Sequence, residues 1–182
     1  VADITSEPTP VISSALTATG TYGTAFSYFI TATNAPSSYN ATNLPAGLTV
    51  NSLTGEISGV LTAAPGNYSI TLEATNAGGT GSNILDLTVQ AKNLTVDGLT
   101  INNEVYDGNT TATYAGGTLI GVYSTDVVNF TGVANFNTKT VGTTKPVSIT
   151  LTLNGAAAGN YTVTQLTGLT ADITEKGLTI TG

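Results

Sequence analysis

One short sequence occurs near both ends of the chain, and this repetition constrains the fold more than any other feature. Residues 2–5 and 171–174 are the same tetrapeptide, Ala-Asp-Ile-Thr. The octet at residues 175–182 follows the second copy and matches residues 91–98 in the pattern x-Lys-x-Leu-Thr-aliphatic-x-Gly. Self-similarity in a fixed order is typical of tandem modules. The sequence therefore predicts a piece of an array in which whole modules repeat.

The two repeats set the expected module boundaries. We expect residues 1–7 to be the end of a preceding module and a linker, and residues 8–90 to form a different, inserted module. Residues 91–174 then form a full copy of the first type, and residues 175–182 begin the next copy. The two prolines within residues 6–10 favour an extended linker there. Because the start at Val1 lacks the basic and apolar stretches of a signal peptide, we interpret the chain as a segment of a longer protein.

Both modules have the pattern of short strands separated by turns. Segments such as residues 84–89 alternate apolar and polar residues, and clusters of Asn, Pro and Gly separate them. No window has the 3.6-residue apolar period of a long helix. We predict an all-β fold of two tandem β-sandwich-like modules joined end to end, with no long helices. The predicted strands are residues 26–32, 48–50, 56–59, 68–74 and 84–89, then 94–96, 105–114, 127–131, 134–136, 147–153, 161–164 and 169–173.

The chain lacks the side chains that most often serve in catalysis and in nucleic-acid binding. The chain has no Cys, His, Met or Trp, and its four basic residues are all lysines. It therefore lacks the commonest general base and the side chain that binds phosphate in a bidentate manner. A net charge of −7 disfavours nucleic acid and anionic membranes. We predict that the chain is not an enzyme and has no cofactor, no nucleic-acid partner and no membrane span.

Charged residues make up only 8% of the chain, against about 25% in typical soluble domains. Thr, Ser and Asn must therefore occupy most outward strand positions. Thr suits such positions because its β-branched side chain fits a pleated, half-solvated surface. This composition is typical of an extracellular β-protein.

Calcium is the one ionic ligand that the acidic composition suggests. Asp107 and Asn109, with Asp126 or Asp97 nearby in the fold, would supply oxygen ligands. The favoured interpretation of Asp107-Gly108-Asn109 is a turn that Asp107 stabilises through the backbone, because the chain has no EF-hand loop and no acidic cluster. We therefore expect no metal site, with calcium at Asp107, Asn109 and Asp126 as the alternative.

Two further groups of residues have a structural and a functional interpretation. Lys139 or Lys145 would form an isopeptide bond if either lay beside an Asn in an apolar core, whereas the favoured interpretation is that all four lysines are solvated on loops. The phrase Gly-Asn-Tyr at residues 66–68 and 159–161 fits either a tyrosine corner, whose hydroxyl binds a loop backbone group, or a buried aromatic residue without such a bond.

Carbohydrate is the last ligand class that the sequence suggests. Tyrosines exposed side by side would stack on sugars, but we expect most of them in the core or at its rim. Six Asn-x-Ser/Thr sequons are expected by chance in a chain so rich in Asn and Thr. The tyrosines are Tyr22, Tyr28, Tyr39, Tyr114 and Tyr123, and the sequons begin at Asn40, Asn67, Asn93, Asn109, Asn129 and Asn160.

Three motifs follow one another in the first module: Leu-Pro-Ala-Gly-Leu-Thr-Val at residues 44–50, Thr-Gly-Glu-Ile-Ser-Gly at residues 54–59, and Gly-Asn-Tyr through Ala-Thr-Asn at residues 66–76. Together they resemble an immunoglobulin-like family of bacterial surface proteins over most of residues 10–89. In the second module, Tyr106-Asp107-Gly108 and the downstream residues 153–161 resemble the YDG-type repeat of large bacterial adhesins.

These resemblances imply an extracellular, stalk-like or adhesive role and carry over no catalytic residues. We predict a structural spacer segment of a secreted or cell-surface bacterial adhesin that extends a distal binding domain from the cell. The alternative is a carbohydrate- or protein-binding adhesive module. We expect a monomer whose partners are neighbouring repeats of the same chain, with glycans or host proteins as the alternative partners.

Overall fold

The computed structural model describes residues 7–180, which form β-strands joined by turns and loops. The chain divides into two compact units, an N-terminal unit that ends at Lys92 and a C-terminal unit that begins at Asn93. Among the described residues, the only helical element is the 3-10 helix Ala158–Asn160. The prediction of an all-β fold without long helices is confirmed. The tetrapeptide at residues 2–5, Ser6 of the expected linker and the last two residues of the octet lie outside the described residues.

The N-terminal unit has two sheets. One has the strand order β1-β7-β6-β3 and the other the order β2-β5-β4. Every neighbouring pair is antiparallel except β1 and β7, which are parallel. The strands are β1 (Thr17–Thr21), β2 (Ala25–Phe29), β3 (Ser38–Thr42), β4 (Leu48–Val50), β5 (Glu56–Val60), β6 (Gly66–Asn76) and β7 (Gly79–Gln90).

Alternation along β6 and β7 forms the core of this unit. Ile70 and Leu72 of β6, with Leu85 and Leu87 of β7, are completely buried, while the residues between them face outward. Ile57 of β5 enters the same cluster from the other sheet. Each fully buried aliphatic side chain of this size contributes about 1.5–3 kcal/mol to folding. The two sheets therefore form a sandwich around one aliphatic core.

Asn76 joins the beginning of the unit to its centre. Its side chain is buried, and the amide nitrogen donates to the backbone carbonyl oxygens of Pro8 (2.9 Å) and Asn34 (2.7 Å). Its side-chain oxygen accepts the backbone N–H of Gly78 at 2.8 Å. Because both amide hydrogens and the oxygen are engaged, this buried polar group is satisfied by strands and loops that are far apart in sequence.

Residues 8–10 lie against the β6–β7 hairpin. A Cβ atom at Gly81 would lie 1.8 Å from the carbonyl oxygen of Pro10, so a larger residue at position 81 would displace this segment. The side-chain amide of Asn34 also donates to the carbonyl oxygen of Thr9 at 2.7 Å. Residues 8–10 are therefore bound to the unit that follows them.

The C-terminal unit also has two sheets. One has the order β10-β12-β13-β15-β9 and the other the order β11-β8-β14. Its buried residues come from both sheets and include Val96, Phe136, Val147 and Ile149. The strands are β8 (Lys92–Ile101), β9 (Glu104–Val105), β10 (Thr111–Ala112), β11 (Tyr114–Ile120), β12 (Asn129–Phe136), β13 (Gly142–Asn154), β14 (Tyr161–Val163) and β15 (Leu169–Thr174).

The Tyr-Asp-Gly segment connects the two edges of the five-stranded sheet. The backbone N–H of Tyr106 binds the carbonyl oxygen of Thr174 beside β9, and the N–H of Phe136 binds that of Thr110 beside β10. Four strand intervals of a flat sheet span about 19 Å. The six residue steps from Val105 to Thr111 reach about 20–22 Å when fully extended. Because this loop contains a turn, the sheet must curve to bring its edges closer together.

Three strands were missed at the sequence level, namely β1, β3 and β11, because their Thr, Gly and Asn residues give no apolar alternation. The single strand predicted at residues 105–114 was wrong. It is divided among β9, β10 and the start of β11. Asp107 lies in the loop between β9 and β10.

We expect the substitution Asn76→Asp to destabilise the N-terminal unit by about 3 kcal/mol, because a carboxylate would face two carbonyl oxygens without a hydrogen to donate. The matched control is Asn67→Asp, which adds the same charge. The oxygen of Asn67 only accepts a hydrogen bond, from Thr88, and Asp retains that ability. Urea unfolding would measure both changes. Equal stabilities of the two variants would contradict the role assigned to Asn76.

Candidate functional site

The outward face of the larger N-terminal sheet is polar except for the exposed Ile84, and many of its side chains bond to one another. Ser69 donates to the Asp86 carboxylate at 3.0 Å, and Asn40 donates to Glu73 at 2.9 Å. Both pairs join residues that lie opposite each other on neighbouring strands. Cross-strand pairs of this kind stabilise a sheet. Much of the hydrogen-bonding capacity of this face is therefore used within the sheet.

The tyrosines do not form an exposed cluster. Tyr22 is buried, and Tyr28 and Tyr39 pack against the core of the N-terminal unit. Tyr114 lies over Phe130 with ring centroids 6.4 Å apart, and its hydroxyl accepts the N–H of Gly132 at 2.8 Å. The expectation that most of these rings belong to the core or its rim is confirmed. Tyr123 is partly buried in the loop between β11 and β12.

Both Gly-Asn-Tyr phrases place a tyrosine hydroxyl against a loop. The Tyr68 hydroxyl donates to the carbonyl oxygen of Ala64 at 2.7 Å, which is the bond of a tyrosine corner. The buried Tyr161 accepts the backbone N–H of Tyr123 at 3.0 Å and donates to the Asp126 carboxylate at 2.5 Å. The interpretation in which each hydroxyl binds a loop backbone group is confirmed at both positions.

The loop held by Tyr161 closes one side of an open cavity of about 420 Å³ in the C-terminal unit. Thr118 and Asn129 line it from β11 and β12, the partly buried ring of Phe130 lies among them, and Asp126 contributes its carboxylate. A Cβ atom at Gly117 would lie 2.6 Å from the Phe130 ring, so the glycine permits β11 to pass close to that ring. Within residues 7–180, we regard this cavity as the best candidate for a small-molecule site, because it combines an aromatic ring with hydroxyl, amide and carboxylate groups.

Asp107 forms the expected turn. One carboxylate oxygen accepts the backbone N–H of Asn109 at 3.0 Å, and the other accepts the Asn109 side chain at 2.5 Å. Asp126 lies in another loop, where its carboxylate accepts a hydrogen bond from the Tyr161 hydroxyl, and Asp97 lies in β8. Within residues 7–180, no group of three or more His, Cys, Asp or Glu side chains is placed to hold a metal ion. Calcium at Asp107, Asn109 and Asp126 stays the alternative to the expected absence of a metal site, and a binding measurement tests it.

Lys145 differs from the expectation of solvated lysines on loops, which was wrong for this residue. It lies in β13, is buried, and its ammonium group donates to the hydroxyls of Thr138 (2.6 Å) and Thr140 (3.2 Å). The cause is the alternation of β13, which directs residue 145 to the same side as the buried Val147 and Ile149. Lys139 is exposed in the adjoining loop. The hydrogen bonds of Lys145 are to these two threonines, and an isopeptide bond stays the alternative interpretation.

The sequon asparagines are distributed over both units, on strands, in a loop and in the 3-10 helix. Several bond to neighbouring side chains, as Asn93 does to Thr164 at 2.7 Å. The sequence analysis missed Gln165, whose amide binds both the N–H and the carbonyl of Leu151, at 2.7 and 3.0 Å. It also missed Asn76, although the motif that contains this residue was noted. Neither role has a local sequence signal, because the partners are distant along the chain.

Two sheets packed around one aliphatic core make the N-terminal unit an immunoglobulin-like β-sandwich, and the C-terminal unit is a second β-rich module. Comparison with family models agrees. Residues 9–90 match the family described as Putative Ig domain, and residues 90–168 match the YDG domain. The chain therefore contains an Ig-like domain of that family followed by a YDG domain, in the order that the motifs predicted. Within residues 7–180, no helix has the length and apolar character needed to cross a membrane.

Solved structures give weaker similarities. A putative alpha-galactosidase from Bacteroides fragilis is 33% identical over 48% of this chain and 20% of its own, with a TM-score of 0.42. A putative alpha-galactosidase/melibiase from the same organism is 26% identical over 57% of this chain and 22% of its own, with a TM-score of 0.43. The chain thus spans about a fifth of each, and at these scores the similarity supports no conclusion about function. No curated protein matches the chain.

We expect Tyr161→Phe to destabilise the C-terminal unit by about 1–3 kcal/mol, because the buried hydroxyl binds both a backbone N–H and a carboxylate. Tyr68→Phe removes a single bond and should cost the N-terminal unit about 0.5–1 kcal/mol. Denaturant midpoints of the two single variants measure both effects. A Tyr161 variant no less stable than the Tyr68 variant would contradict the importance of the loop contact.

Because Asp107 and Asp126 lie in different loops and no acidic cluster forms within residues 7–180, we expect thermal unfolding to be the same with calcium and with a chelator, to within about 1 °C. Calorimetry of the whole chain measures this difference. A melting temperature that increases steadily with calcium concentration would establish a calcium site and contradict the expectation. Magnesium at equal ionic strength is the control for nonspecific screening of the acidic surface.

Proposed function

We propose that this chain is a structural spacer segment of a secreted or cell-surface bacterial adhesin, where it holds a distal binding domain away from the cell. The observation that carries the proposal is the outer face of the larger N-terminal sheet. Its polar side chains bind one another across strands, as Ser69 binds Asp86 and Asn40 binds Glu73. A surface of this kind is solvated without many charges. Ile84 is the large apolar residue that is exposed on it, and a single such residue is ordinary on a protein surface.

The two matched families support an extracellular setting, since the motifs of both resemble repeats of bacterial surface proteins. The amino-acid composition of the chain supports a non-enzymatic role. Hydroxyl groups are abundant, but the chain has no histidine to activate one as a nucleophile. The buried lysine, Lys145, binds two threonine hydroxyls in an arrangement that serves the fold.

The repeated octet supports a further module of the array as the neighbouring partner. Leu178 and Ile180 are 90% and 95% exposed. Their counterparts in the matching octet, Leu94 and Val96, are buried in the C-terminal unit. Apolar side chains that are buried in one copy of a repeated octet and exposed in the other support the proposal that residues 175–182 begin another module.

The cavity beside Asp126 favours a second candidate function, the binding of a neutral saccharide. An aromatic ring flanked by Thr118, Asn129 and Asp126 offers a stacking surface together with donors and acceptors for hydroxyl groups. The cavity is open and its ring is only partly exposed. The spacer role therefore stays the favoured proposal.

A display experiment tests the spacer role. An epitope is fused to one, two or three copies of the chain on a bacterial surface, and its height above the membrane is measured by axial localisation of a dye-labelled antibody fragment. Folded modules should raise the epitope in proportion to copy number. Flexible Gly/Ser linkers of equal residue number, used as the control, should raise it with roughly the square root of that number.

A height that does not increase in proportion to copy number would overturn the spacer proposal. Specific binding of the chain to a glycan array, abolished by Asn129→Ala while the fold is retained, would instead favour the saccharide site.

A further inference from the structure

The first and last strands of the N-terminal unit are direct neighbours and run in the same direction. β1 pairs with β7 in parallel, with Thr17 opposite Asp86 and Thr21 opposite Gln90. Hydrogen bonds mark both ends of this ladder. The N–H of Asp86 binds the carbonyl oxygen of Leu16, and the N–H of Tyr22 binds that of Gln90, each at 2.9 Å.

This geometry determines how tension would act on the unit. The chain enters β1 at Thr17 and leaves β7 at Gln90, and in a parallel pair these two points lie at opposite ends of the ladder. A pull on the two chain ends therefore slides the strands past each other and loads every bond of the ladder at once. An antiparallel pair such as β6 and β7, pulled at the two ends that lie side by side, would open one bond at a time.

The ladder is shielded from water on its inner side. Leu85, Leu87 and Val89 of β7 are buried beneath it. The space on the inner side of Gly20 in β1 is filled by Leu61, whose Cδ1 atom would lie 2.3 Å from a Cβ at that position. Water competes less well for bonds that it does not reach, so a shielded ladder resists sliding more than an exposed one.

The segment that precedes β1 is also anchored. The N–H of Ser13 binds the carbonyl oxygen of Thr31 at 2.8 Å, and the N–H of Thr33 binds that of Val11 at 2.9 Å. Pro8 is held by the buried amide of Asn76. Tension entering the unit from its N-terminal side must release these contacts before it reaches the ladder.

The C-terminal unit has no equivalent arrangement among its described strands. Its first strand, β8, and its last, β15, belong to different sheets. The parallel pair β9 and β15 joins only Glu104 to Ile173 and Val105 to Thr174. Pairing between the first and the last strand therefore distinguishes the N-terminal unit from the C-terminal unit.

We propose that the β1–β7 ladder is a mechanical clamp that keeps the N-terminal unit folded when the chain is under tension. The biological purpose of the clamp rests on the proposed spacer role, because a spacer between a cell and a bound surface transmits force. The mechanical property itself is independent of that role and is measured on the isolated chain.

Single-molecule pulling in two directions tests the clamp. The chain has no cysteine, so paired cysteine substitutions give unique attachment points. Thr17→Cys with Gln90→Cys loads the ladder along the strands, whereas Thr21→Cys with Gln90→Cys pulls apart two residues that lie opposite each other. Both pairs release about 25 nm of chain when the unit unfolds. We expect a several-fold higher unfolding force for the first pair, and equal forces would overturn the proposal.

Two proline variants test the role of the ladder bonds themselves. Bonded residues alternate along a parallel strand, and Leu16 and Tyr22 are bonded to β7. Ala18 therefore directs its N–H at β7, whereas that of Thr19 points away. With the along-strand attachment, Ala18→Pro should raise the unfolding rate at constant force by about tenfold, while Thr19→Pro should leave it nearly unchanged.

An equal effect of the two prolines would show that the ladder does not determine mechanical strength. If Ala18→Pro does not fold, the comparison of the two pulling directions on unaltered strands still decides the question. Failure of either test removes the clamp and leaves the spacer role to the display experiment, which measures height without applied force.

Discussion

Both units depend on strands that bury one face in an apolar core and keep the other in water with very few charges. The second requirement is met by hydroxyl, amide and carboxylate groups that bind across strands, as between Asn40 and Glu73. These bonds lie directly over residues such as Leu72 and Leu85, whose burial stabilises the sheet. The polar faces and the apolar core are thus two sides of one alternation, and a one-residue shift in register would disrupt both.

That alternation is also the part of the fold that sequence reasoning detects best. β6, β7 and β13 were predicted because aliphatic residues recur at every second position over long stretches. β1 was not predicted, because its sequence, Thr-Ala-Thr-Gly-Thr, has little apolar content. The space on the inner side of Gly20 is filled by Leu61, which belongs to another part of the chain. Hydrogen bonding to β7 stabilises β1 as a strand, although its own side chains bury little apolar surface. Local patterns do not contain that information.

The candidate sites likewise divide into those that local sequence predicts and those that depend on contacts between distant segments. The turn at Asp107 and the bond of Tyr68 to Ala64 join residues at most four positions apart, and motif reasoning anticipated both. The role of Asn76 depends on Pro8, and the cavity beside Asp126 depends on strands from two sheets. Lys145 was misassigned because lysine is usually exposed, although the alternation of β13 already directed it inward. Contacts between distant segments determine these features, and only the folded chain shows them.

The pairing of β1 with β7 also dictates the order in which the N-terminal unit can form. β7 is the last strand to be synthesised and lies at the centre of its sheet, between β1 and β6. Residues 8–10 likewise have no hairpin to lie against until the chain has extended beyond Gly81. Because synthesis starts at the N terminus, the opening segments therefore stay without their partners until nearly the whole unit has been made. Closure of the unit then depends on contacts between segments that are far apart in sequence, and such contacts form late and slowly.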